Sequence, residues 1–308
     1  MIETLRSSDT WRAFRRDRLA VCALITLLIL TCIAVLGSAV IETSQSLDPA
    51  QIRLADKLRA PLSTPSGHLA DDLQPLLGVY WLGTDDLGRD VLARMLQGAT
   101  ISLSIGFVAM AIAVAVGVVI GSIAGYFGER RIGPFSVDSL LMRFTDVMLC
   151  FPSFFLVLTV IALLPSNIYY IMVILGLTGW MGIARFVRAE MLSLREREFV
   201  LAARACAIPA WRIITLHLLP NALGPILVSA TITVAGAILT ESALSFLGFG
   251  VQPPQATWGN VLADGRAYIF DAPWLFFIPG TAIFVVVLAF NLVGEGLREA
   301  SDPRLRRM

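Results

Sequence analysis

Six long apolar segments, separated by more polar ones, dominate the hydropathy pattern of the chain. They cover residues 19–42, 100–125, 139–164, 168–190, 222–247 and 274–297. A helix of about 20 apolar residues is long enough to cross the roughly 30 Å hydrocarbon core of a bilayer. The pattern therefore predicts an all-α polytopic membrane protein with six transmembrane helices.

The first apolar segment resembles a secretory signal in one respect. Four arginines lie between residues 12 and 18, and the small residues "GSA" follow the segment at 37–39. However, the apolar run is longer than the ~7–15 residues typical of a signal peptide. We expect an uncleaved membrane anchor.

Basic residues are distributed unevenly between the two sides that six spans would create. One side carries 18 of the 24 basic residues, namely Arg6, Arg12, Arg15, Arg16, Arg18, Arg130, Arg131, Arg143, Arg185, Arg188, Arg195, Arg197, Arg204, Arg212, Arg298, Arg304, Arg306 and Arg307. The other side carries Arg53, Lys57, Arg59, Arg89, Arg94 and Arg266. Because cytoplasmic segments are enriched in Lys and Arg, both termini are expected to be cytoplasmic.

This topology divides the chain into five parts. A cytoplasmic tail (1–18) precedes the first helix (19–42), and a long external loop (43–99) follows it. A five-helix core spans 100–297 and contains a cytoplasmic loop at about 191–221, and a second cytoplasmic tail covers 298–308.

Composition supports the membrane prediction and excludes several functions. The chain is 56% hydrophobic and 15% charged, with a mean hydropathy of +0.76, whereas soluble domains are about 45–50% apolar and about 25% charged. The net charge of +1 gives no reason to expect nucleic acid as a partner. No GxxxxGK[ST] motif is present, so the chain lacks a phosphate-binding loop of its own.

Cysteine and histidine give no sign of a metal or disulfide site. The four cysteines form no CxxC pair and are expected to be small buried hydrophobes: Cys22, Cys32, Cys150 and Cys206. The only histidines, His68 and His217, are far apart in sequence, so no metal site is expected.

Three glycines recur every four residues in the second span, at Gly117, Gly121 and Gly125. This spacing places them on one helix face, where small residues allow a second helix to approach closely. We expect a helix-packing seam. The sequence leaves open whether it lies inside the bundle or against another subunit.

Polar residues in the fifth span are candidates for a translocation path. Ser229 and Thr233 lie within it, and Glu241 lies near its outer end. A polar group in hydrocarbon without a partner costs free energy, so these residues are expected to face a passage. For Glu241 the alternative is a structural tie to the outer loop.

The loop at 198–221, "EFVLAARACAIPAWRIITLHLLPN", is too polar for a membrane core and too apolar for a simple linker. It predicts a helix whose small-residue stripe comprises Phe199, Ala202, Ala203 and Cys206, with arginines at its rim. Pro209 ends that helix, and a second helical run ends at Pro220. Such a stripe fits docking into a groove of another protein, and an interfacial amphipathic hairpin is the alternative.

Several motifs in chain order resemble one family. The 198–221 loop resembles the EAA loop of binding-protein-dependent ABC importer permeases. "LGTDDLGRDVLARMLQGATISL", "LLMRFTDVMLCFP", "ESALSFLGFGVQPPQATWG" and "FNLVGEGLREASDPR" resemble the C-type permease of the dipeptide/oligopeptide/nickel branch. The resemblance covers most of the chain from Trp81 onward.

The resemblance implies a type I ABC importer permease fold and a set of partners. These are a homologous B-type permease, two ABC ATPase subunits that bind ATP and Mg, and a periplasmic or lipid-anchored solute-binding protein. The chain would then be a non-enzymatic subunit without a cofactor, in the bacterial inner membrane. The residues implied to dock on the ATPase are Glu198, Ala202, Ala203, Arg204, Ala205, Ala207 and Arg212.

Two positions depart from the family pattern. Leu201 replaces the glutamate that names the EAA motif, and Ala207 replaces its glycine. Because glycine readily adopts a left-handed conformation, we expect the turn at Ala207 to differ from the family's.

The sequence leaves alternatives open for the transported cargo and for the energy source. Similar permeases handle di- and oligopeptides, glutathione, peptide antibiotics and nickel complexes. An ion-driven secondary transporter would require charged residues at mid-span and inverted repeats. The sequence has almost no such charges in spans one, two and four, and it has no recognisable repeat. A non-transporting membrane scaffold is the third possibility.

Overall fold

The computed structural model describes residues 11–43, 47–67, 74–165 and 167–301, apart from the side chains of Glu42 and Ile132. Several residues used in the sequence analysis lie outside the described residues: Arg6, His68, Arg304, Arg306 and Arg307.

The described chain is built almost entirely from helices. These are α1 (Arg18–Thr43), α2 (Val91–Phe127), α3 (Val137–Cys150), α4 (Ser153–Leu163), α5 (Ile168–Arg195), α6 (Glu198–Ala205), α7 (Ala210–Phe246), α8 (Trp258–Gly265) and α9 (Trp274–Ser301). Short 3₁₀ turns occur at Leu54–Asp56, Leu76–Gly78 and Arg266–Tyr268. A small antiparallel hairpin pairs β1 (Arg131–Ile132) with β2 (Phe135–Ser136).

Five helices, α1, α2, α5, α7 and α9, are each long and apolar enough to cross a membrane. The predicted third span, 139–164, is not one helix: α3 and α4 are bent by 76° at the break between them. The break has a local cause. Phe151 is extended, and Pro152, which lacks a backbone N–H, precedes α4. The chain therefore has six candidate spans only if this bent pair counts as one.

Helix α2 begins at Val91, nine residues before the predicted span at 100. The side chain of Asp90 caps it by accepting a hydrogen bond from the Leu92 N–H at 2.8 Å. Carboxylate caps satisfy an otherwise unpaired N–H group and favour a helix start at that position. The last part of the predicted external loop is therefore helical.

Helix α7 runs without interruption through Pro220, so the predicted second short helix is not separate from the fifth span. A π-helical stretch at Ile213–Leu218 precedes the proline, and the Leu219 N–H donates to the carbonyl of Ile214. The wider turn shifts the hydrogen-bond register just before a residue that has no N–H to donate. The loop and the membrane helix thus form one rigid element.

The glycine seam of α2 lies against α5 of the same chain. A Cβ atom added to Gly117 would come within 2.7 Å of the Ile183 Cβ, and one added to Gly121 within 2.6 Å of the Ala184 carbonyl. A Cβ atom at Gly125 would lie 2.5 Å from the Met191 Cβ. Only glycine allows these two backbones to approach so closely.

The two described ends of the chain meet on one side of the bundle. Phe14 is buried, and it packs with α1 and α9 in one apolar cluster that also contains Ala20 and Ala300. A Cβ atom at Gly296 would lie 3.2 Å from the Phe14 ring. Both ends therefore lie at the same membrane face.

The prediction that the cysteines are buried is wrong. All four are exposed: Cys22, Cys32, Cys150 and Cys206. For Cys22 and Cys32 the reason is that α1 packs against the bundle through one face, so its other face stays uncovered within this chain.

Candidate functional site

Helix α6 lies on the arginine-rich side of the protein, between the end of α5 and the start of α7. Its Val200 and Ala203 are buried against Ile213 and Leu218 of α7 in one apolar cluster. The same cluster includes Met191 of α5. Helix α6 is therefore fixed to the ends of two membrane helices rather than suspended on a flexible loop.

The predicted docking stripe is only partly available on the surface. Ala203 is 6% exposed because it faces α7 of its own chain, so the expectation that its methyl group meets a partner is wrong. Within residues 198–212 the exposed residues are Glu198, Phe199, Leu201, Ala202, Arg204, Ala205, Cys206, Ala207, Pro209, Trp211 and Arg212. The free face of α6 is thus centred on Leu201, Ala202 and Ala205, with Arg204 beside them.

The turn after α6 keeps the geometry that glycine usually provides. Ala207 has a φ of +54°, the Ala207 N–H donates to the Arg204 carbonyl at 2.9 Å, and the Ile208 N–H donates to the Ala203 carbonyl at 3.1 Å. These two bonds form a Schellman motif with Ala207 in the left-handed position. The expectation that the turn differs because glycine is absent is therefore wrong.

Charged contacts fasten α6 and the end of α5 to the neighbouring elements. The Arg204 guanidinium lies 5.0 Å from the centre of the Tyr126 ring at the end of α2. Three arginines of α5 each pair with an acid on the 129–146 segment; the pairs are Arg185–Asp146, Arg188–Asp138 and Arg195–Glu129. The 126–146 segment, α5 and α6 are therefore linked by side-chain contacts as well as by packing.

Sequence reasoning missed these partners, although one signal was present. The three arginines are spaced so that they share one face of a helix. A row of positive charges at the end of a membrane helix needs acidic counterions. The 126–146 segment contains acids that could provide them. Which acid serves which arginine depends on how α3 folds back on α5.

An open cavity of about 790 Å³ lies between α5, α7 and α9. Its polar lining comprises Glu190, Ser229, Asn291, Glu295, Arg298 and Ser301. The remaining wall is mainly apolar and includes Phe186 and Ile232. Volumes of about 300–1,000 Å³ are typical of small-molecule sites, so the cavity is large enough for a small solute.

The structure separates the three residues predicted for the translocation path. Ser229 lines the cavity, and its hydroxyl donates to the Pro225 carbonyl at 3.3 Å. Thr233 lies one turn further along α7, outside the cavity lining, and its hydroxyl donates to the Ser229 carbonyl at 2.7 Å. Neither hydroxyl is left unpaired.

Glu241 does not face a passage in this chain, contrary to the expectation. It is fully buried, and one carboxylate oxygen accepts a hydrogen bond from Ser245 at 2.7 Å. Helix α8 covers this region, since a Cβ atom at Gly259 would lie 2.7 Å from the Ser242 Cα. The position favours the alternative of a structural tie between α7 and the outer segments.

A largely buried network of ion pairs lies between the start of α2 and α8. One oxygen of Asp85 accepts from Arg89 Nε at 2.6 Å and from Arg94 Nη1 at 2.7 Å. Asp264 of α8 accepts from Arg94 at 3.0 Å and from Arg89 at 3.3 Å. Two arginines and two aspartates thus fix α8 to the outer loop.

A second polar cluster orders the first part of the outer loop. The Tyr80 hydroxyl is buried and donates to Asp56 at 2.8 Å; burial and this bond raise the pKa of Tyr80 to about 12. Burial alone would raise the pKa of Asp56, but hydrogen bonds from Ser66 and Tyr80 and the charge of Arg59 lower it overall. The loop is therefore a folded platform with an internal polar core.

The chain matches two families along most of its length. A family described as the binding-protein-dependent transport system inner membrane component matches residues 117–307. A second, described as the N-terminal TM domain of oligopeptide transport permease C, matches residues 6–61.

Curated relatives are similar to the chain over most of their length. The chain is 37% identical to the dipeptide transport system permease protein DppC of Bacillus subtilis (strain 168), over 98% of the chain and 87% of the relative. It is 41% identical to DppC of Alkalihalophilus pseudofirmus, over 80% of the chain and 81% of the relative. It is 41% identical to the oligopeptide transport system permease protein OppC of Bacillus subtilis (strain 168), over 74% of the chain and 73% of the relative.

Among solved structures, the chain is similar to a chain of the MetNI methionine ABC transporter in an inward-facing conformation. The TM-score is 0.55 at 17% sequence identity, and the match covers 68% of this chain and 97% of that chain. At this identity the similarity shows a shared fold.

Proposed function

Because the chain belongs to the family of binding-protein-dependent inner membrane transport components, we propose that it is the membrane-spanning permease subunit of an ATP-driven importer of di- or oligopeptides. The observation that carries this proposal is 37% identity to a dipeptide permease over 98% of the chain. The predicted type I ABC importer permease fold is confirmed by the family match and by the similarity to a solved importer.

The proposal assigns ATP hydrolysis to other subunits. The partners are two ABC ATPases that bind ATP and Mg, a homologous B-type permease and an external solute-binding protein. The absence of a GxxxxGK[ST] motif from the sequence supports this assignment. The chain is then a transport subunit without a cofactor.

We place the chain in the bacterial inner membrane with both termini in the cytoplasm. The arginine distribution supports this orientation, as does the meeting of both described ends at one face. Helix α6 then lies in the cytoplasm, and the platform formed by residues 47–67 and 74–90 lies outside, where a binding protein delivers its cargo.

Helix α6 is proposed to be the coupling helix that the ATPases move. Its exposed face, centred on Leu201 and Ala202, is the surface for docking in an ATPase groove. Its buried face is continuous with α7 through Ile213 and Leu218. Since α6 packs directly on α7, a displacement of α6 is proposed to move the wall of the cavity that contains Ser229.

The cavity between α5, α7 and α9 is proposed as this subunit's half of the translocation path. This chain leaves part of α7 uncovered, since Ile232 of the cavity wall and Leu239 further along the helix are exposed. The sister permease would close that side. Glu190, Glu295 and Arg298 lie toward the ends of their helices nearest the cytoplasm, which suits release of a charged peptide into water.

Reconstitution of the complete transporter tests this proposal. Uptake of a labelled dipeptide into liposomes is expected to require ATP, the binding protein and this chain together, and to be inhibited by vanadate. The chain purified alone is expected to hydrolyse no ATP. Uptake that follows an ion gradient without ATP would refute the proposal in favour of a secondary transporter.

The cargo is tested separately on the cognate binding protein. A ligand that co-purifies with it is expected to be a di- or oligopeptide. Recovery of glutathione, a peptide antibiotic or a nickel complex instead would keep the importer function and change its substrate class.

A further inference from the structure

Four arginines cluster at the start of the first membrane helix, α1, and form no ion pair within the described part of the chain. They are Arg12, Arg15, Arg16 and Arg18, and all four are exposed. Among the residues that the structure describes, no acid forms an ion pair with any of them. By contrast, Arg185, Arg188 and Arg195 on the same side of the protein each have an acidic partner. The four charges are therefore available to an external anion.

The one acid among these arginines is already engaged. Asp17 accepts hydrogen bonds from the N–H groups of Leu19 at 2.9 Å and Ala20 at 3.2 Å. This carboxylate caps the start of α1 and satisfies its unpaired donors. It forms no ion pair with a described arginine, and four arginines with one aspartate leave the segment with an excess of positive charge.

Residues 11–18 are ordered by backbone hydrogen bonds and by packing against the bundle. Backbone bonds from Arg15 to the Trp11 carbonyl and from Asp17 to the Phe14 carbonyl close helical turns. Phe14 is 3% exposed and packs against α9 near Gly296. The segment that carries the arginines is thus fixed against the bundle, which lowers the entropy cost of binding a ligand.

A half-exposed tryptophan accompanies the charges. Trp11 stacks on Phe14 with ring centres 5.8 Å apart, yet 53% of it remains exposed. Tryptophan partitions to the headgroup level of a bilayer because it combines a large apolar surface with one N–H donor. Leu19, on the next turn, is also exposed, so the arginines lie where hydrocarbon gives way to headgroups.

We infer that residues 11–18 form a binding site for anionic phospholipid headgroups. The guanidinium groups pair with lipid phosphates, and Trp11 inserts at headgroup level beside them. Clusters of four or more basic residues next to a membrane helix attract anionic lipids in this way. The site is independent of the transported cargo and of the proposed transport function.

Native mass spectrometry of the purified full chain tests the site. The chain is titrated with phosphatidylglycerol or with phosphatidylcholine of the same acyl chains, at low and high salt. We expect the wild type to bind phosphatidylglycerol in preference, and the preference to shrink with added salt because exposed charges are screened. Equal binding of the two lipids at low salt would overturn the inference.

Variants that remove or keep the positive charges show whether these arginines cause the preference for phosphatidylglycerol. The triple variant R12Q/R15Q/R16Q is expected to bind phosphatidylglycerol roughly tenfold to a hundredfold more weakly, with phosphatidylcholine binding unchanged. The triple lysine variant R12K/R15K/R16K is expected to keep the preference. A loss that is equally large in the lysine variant would contradict binding through charge.

A matched control distinguishes a site from general charge attraction. Arg131 and Arg197 are also exposed and form no ion pair with a described acid. The variant R131Q/R197Q is expected to keep the lipid preference, and the inference fails if it loses as much preference as the triple glutamine variant. Millimolar glycerol phosphate is expected not to displace the lipid, since displacement would mean a site for free phosphate esters. If the glutamine variant does not fold, the wild-type salt series and the lysine variant still decide.

Discussion

The carbonyl oxygen of Ala203 accepts a hydrogen bond from the Ile208 N–H at 3.1 Å. This bond closes the turn that ends α6, and it requires the left-handed conformation of Ala207 between them, at φ +54°. The segment after α6 therefore keeps its turn without a glycine, with an alanine in a conformation that L-residues disfavour.

Replacement of Ala207 by glycine is expected to stabilise the chain. An L-residue in the left-handed region costs about 1–2 kcal/mol relative to the right-handed region, and glycine has no such penalty. We expect Ala207→Gly to raise the free energy of unfolding by about 1 kcal/mol, measured on the purified chain in detergent. The control Ala202→Gly, inside α6, should lower it by about 0.5–1 kcal/mol.

Aspartate substitutions at two adjacent alanines separate docking from folding. Ala202 is exposed and Ala203 is buried against α7. We expect Ala202→Asp to fold normally but to lose co-purifying ATPase. Ala203→Asp is expected to lower stability by about 3 kcal/mol or more, because it buries an unpaired charge. Full transport by Ala202→Asp would place the docking surface elsewhere.

Leu201→Glu, which restores the family's glutamate, is expected to be tolerated. Leu201 is 48% exposed, and exposed substitutions usually change stability by less than about 0.5 kcal/mol. Combined with Ala207→Gly, it should leave transport unchanged. A loss of transport in the double variant would show that Leu201 makes a specific contact.

A bulky side chain in the cavity is expected to block transport. Ser229 lines the cavity, so Ser229→Phe should reduce ATP-dependent dipeptide uptake at least tenfold while the subunits still co-purify. The control is Leu227→Phe, on the same helix, exposed and outside the cavity lining. Equal uptake by the two variants would remove the cavity from the proposed path.

Two adjacent aspartates on the outer platform should behave oppositely. Asp85 is fully buried and pairs with Arg89 and Arg94, so Asp85→Ala should destabilise the chain by about 3–5 kcal/mol. Burial, together with repulsion from Asp85 and Asp264, raises the pKa of Asp86. Asp86→Ala should therefore cost no stability. Thermal unfolding of both variants at neutral pH measures the difference.

The helix cap at Asp90 predicts a pH dependence. Burial raises the pKa of Asp90 to about 6, above its ordinary value of about 3.9. The folded state therefore binds more protons between these values, so the contribution of Asp90 to stability falls as pH rises from about 4 to about 6.

The variant Asp90→Asn removes this titration and keeps the cap, because asparagine caps helices about as well as aspartate. We expect it to be close to wild type in stability near pH 4 and up to about 3 kcal/mol more stable near pH 8. Unfolding measured across this pH range checks the expectation. A difference that does not vary with pH would mean that Asp90 does not titrate in this window.

Features that depend on local composition and on ordered motifs were predictable from the residues alone. A run of about 20 apolar residues crosses a membrane whatever its neighbours are, so five long membrane helices were predictable. The EAA-like loop was recognisable because its residues are contiguous. The position of the break in the third span was also signalled locally, by Pro152.

Which residues face one another became known only from the fold. Three questions depended on helices that are far apart in sequence. They are whether Gly121 meets another subunit or α5, whether Ala203 is covered by its own chain, and whether Glu241 lines a passage. An apolar or small residue on a membrane helix packs equally well against lipid, a partner or its own chain, because the bilayer is as apolar as the protein interior. Hydropathy therefore identifies the spans but not their neighbours, and the neighbours are fixed by close packing between α2, α5 and α7.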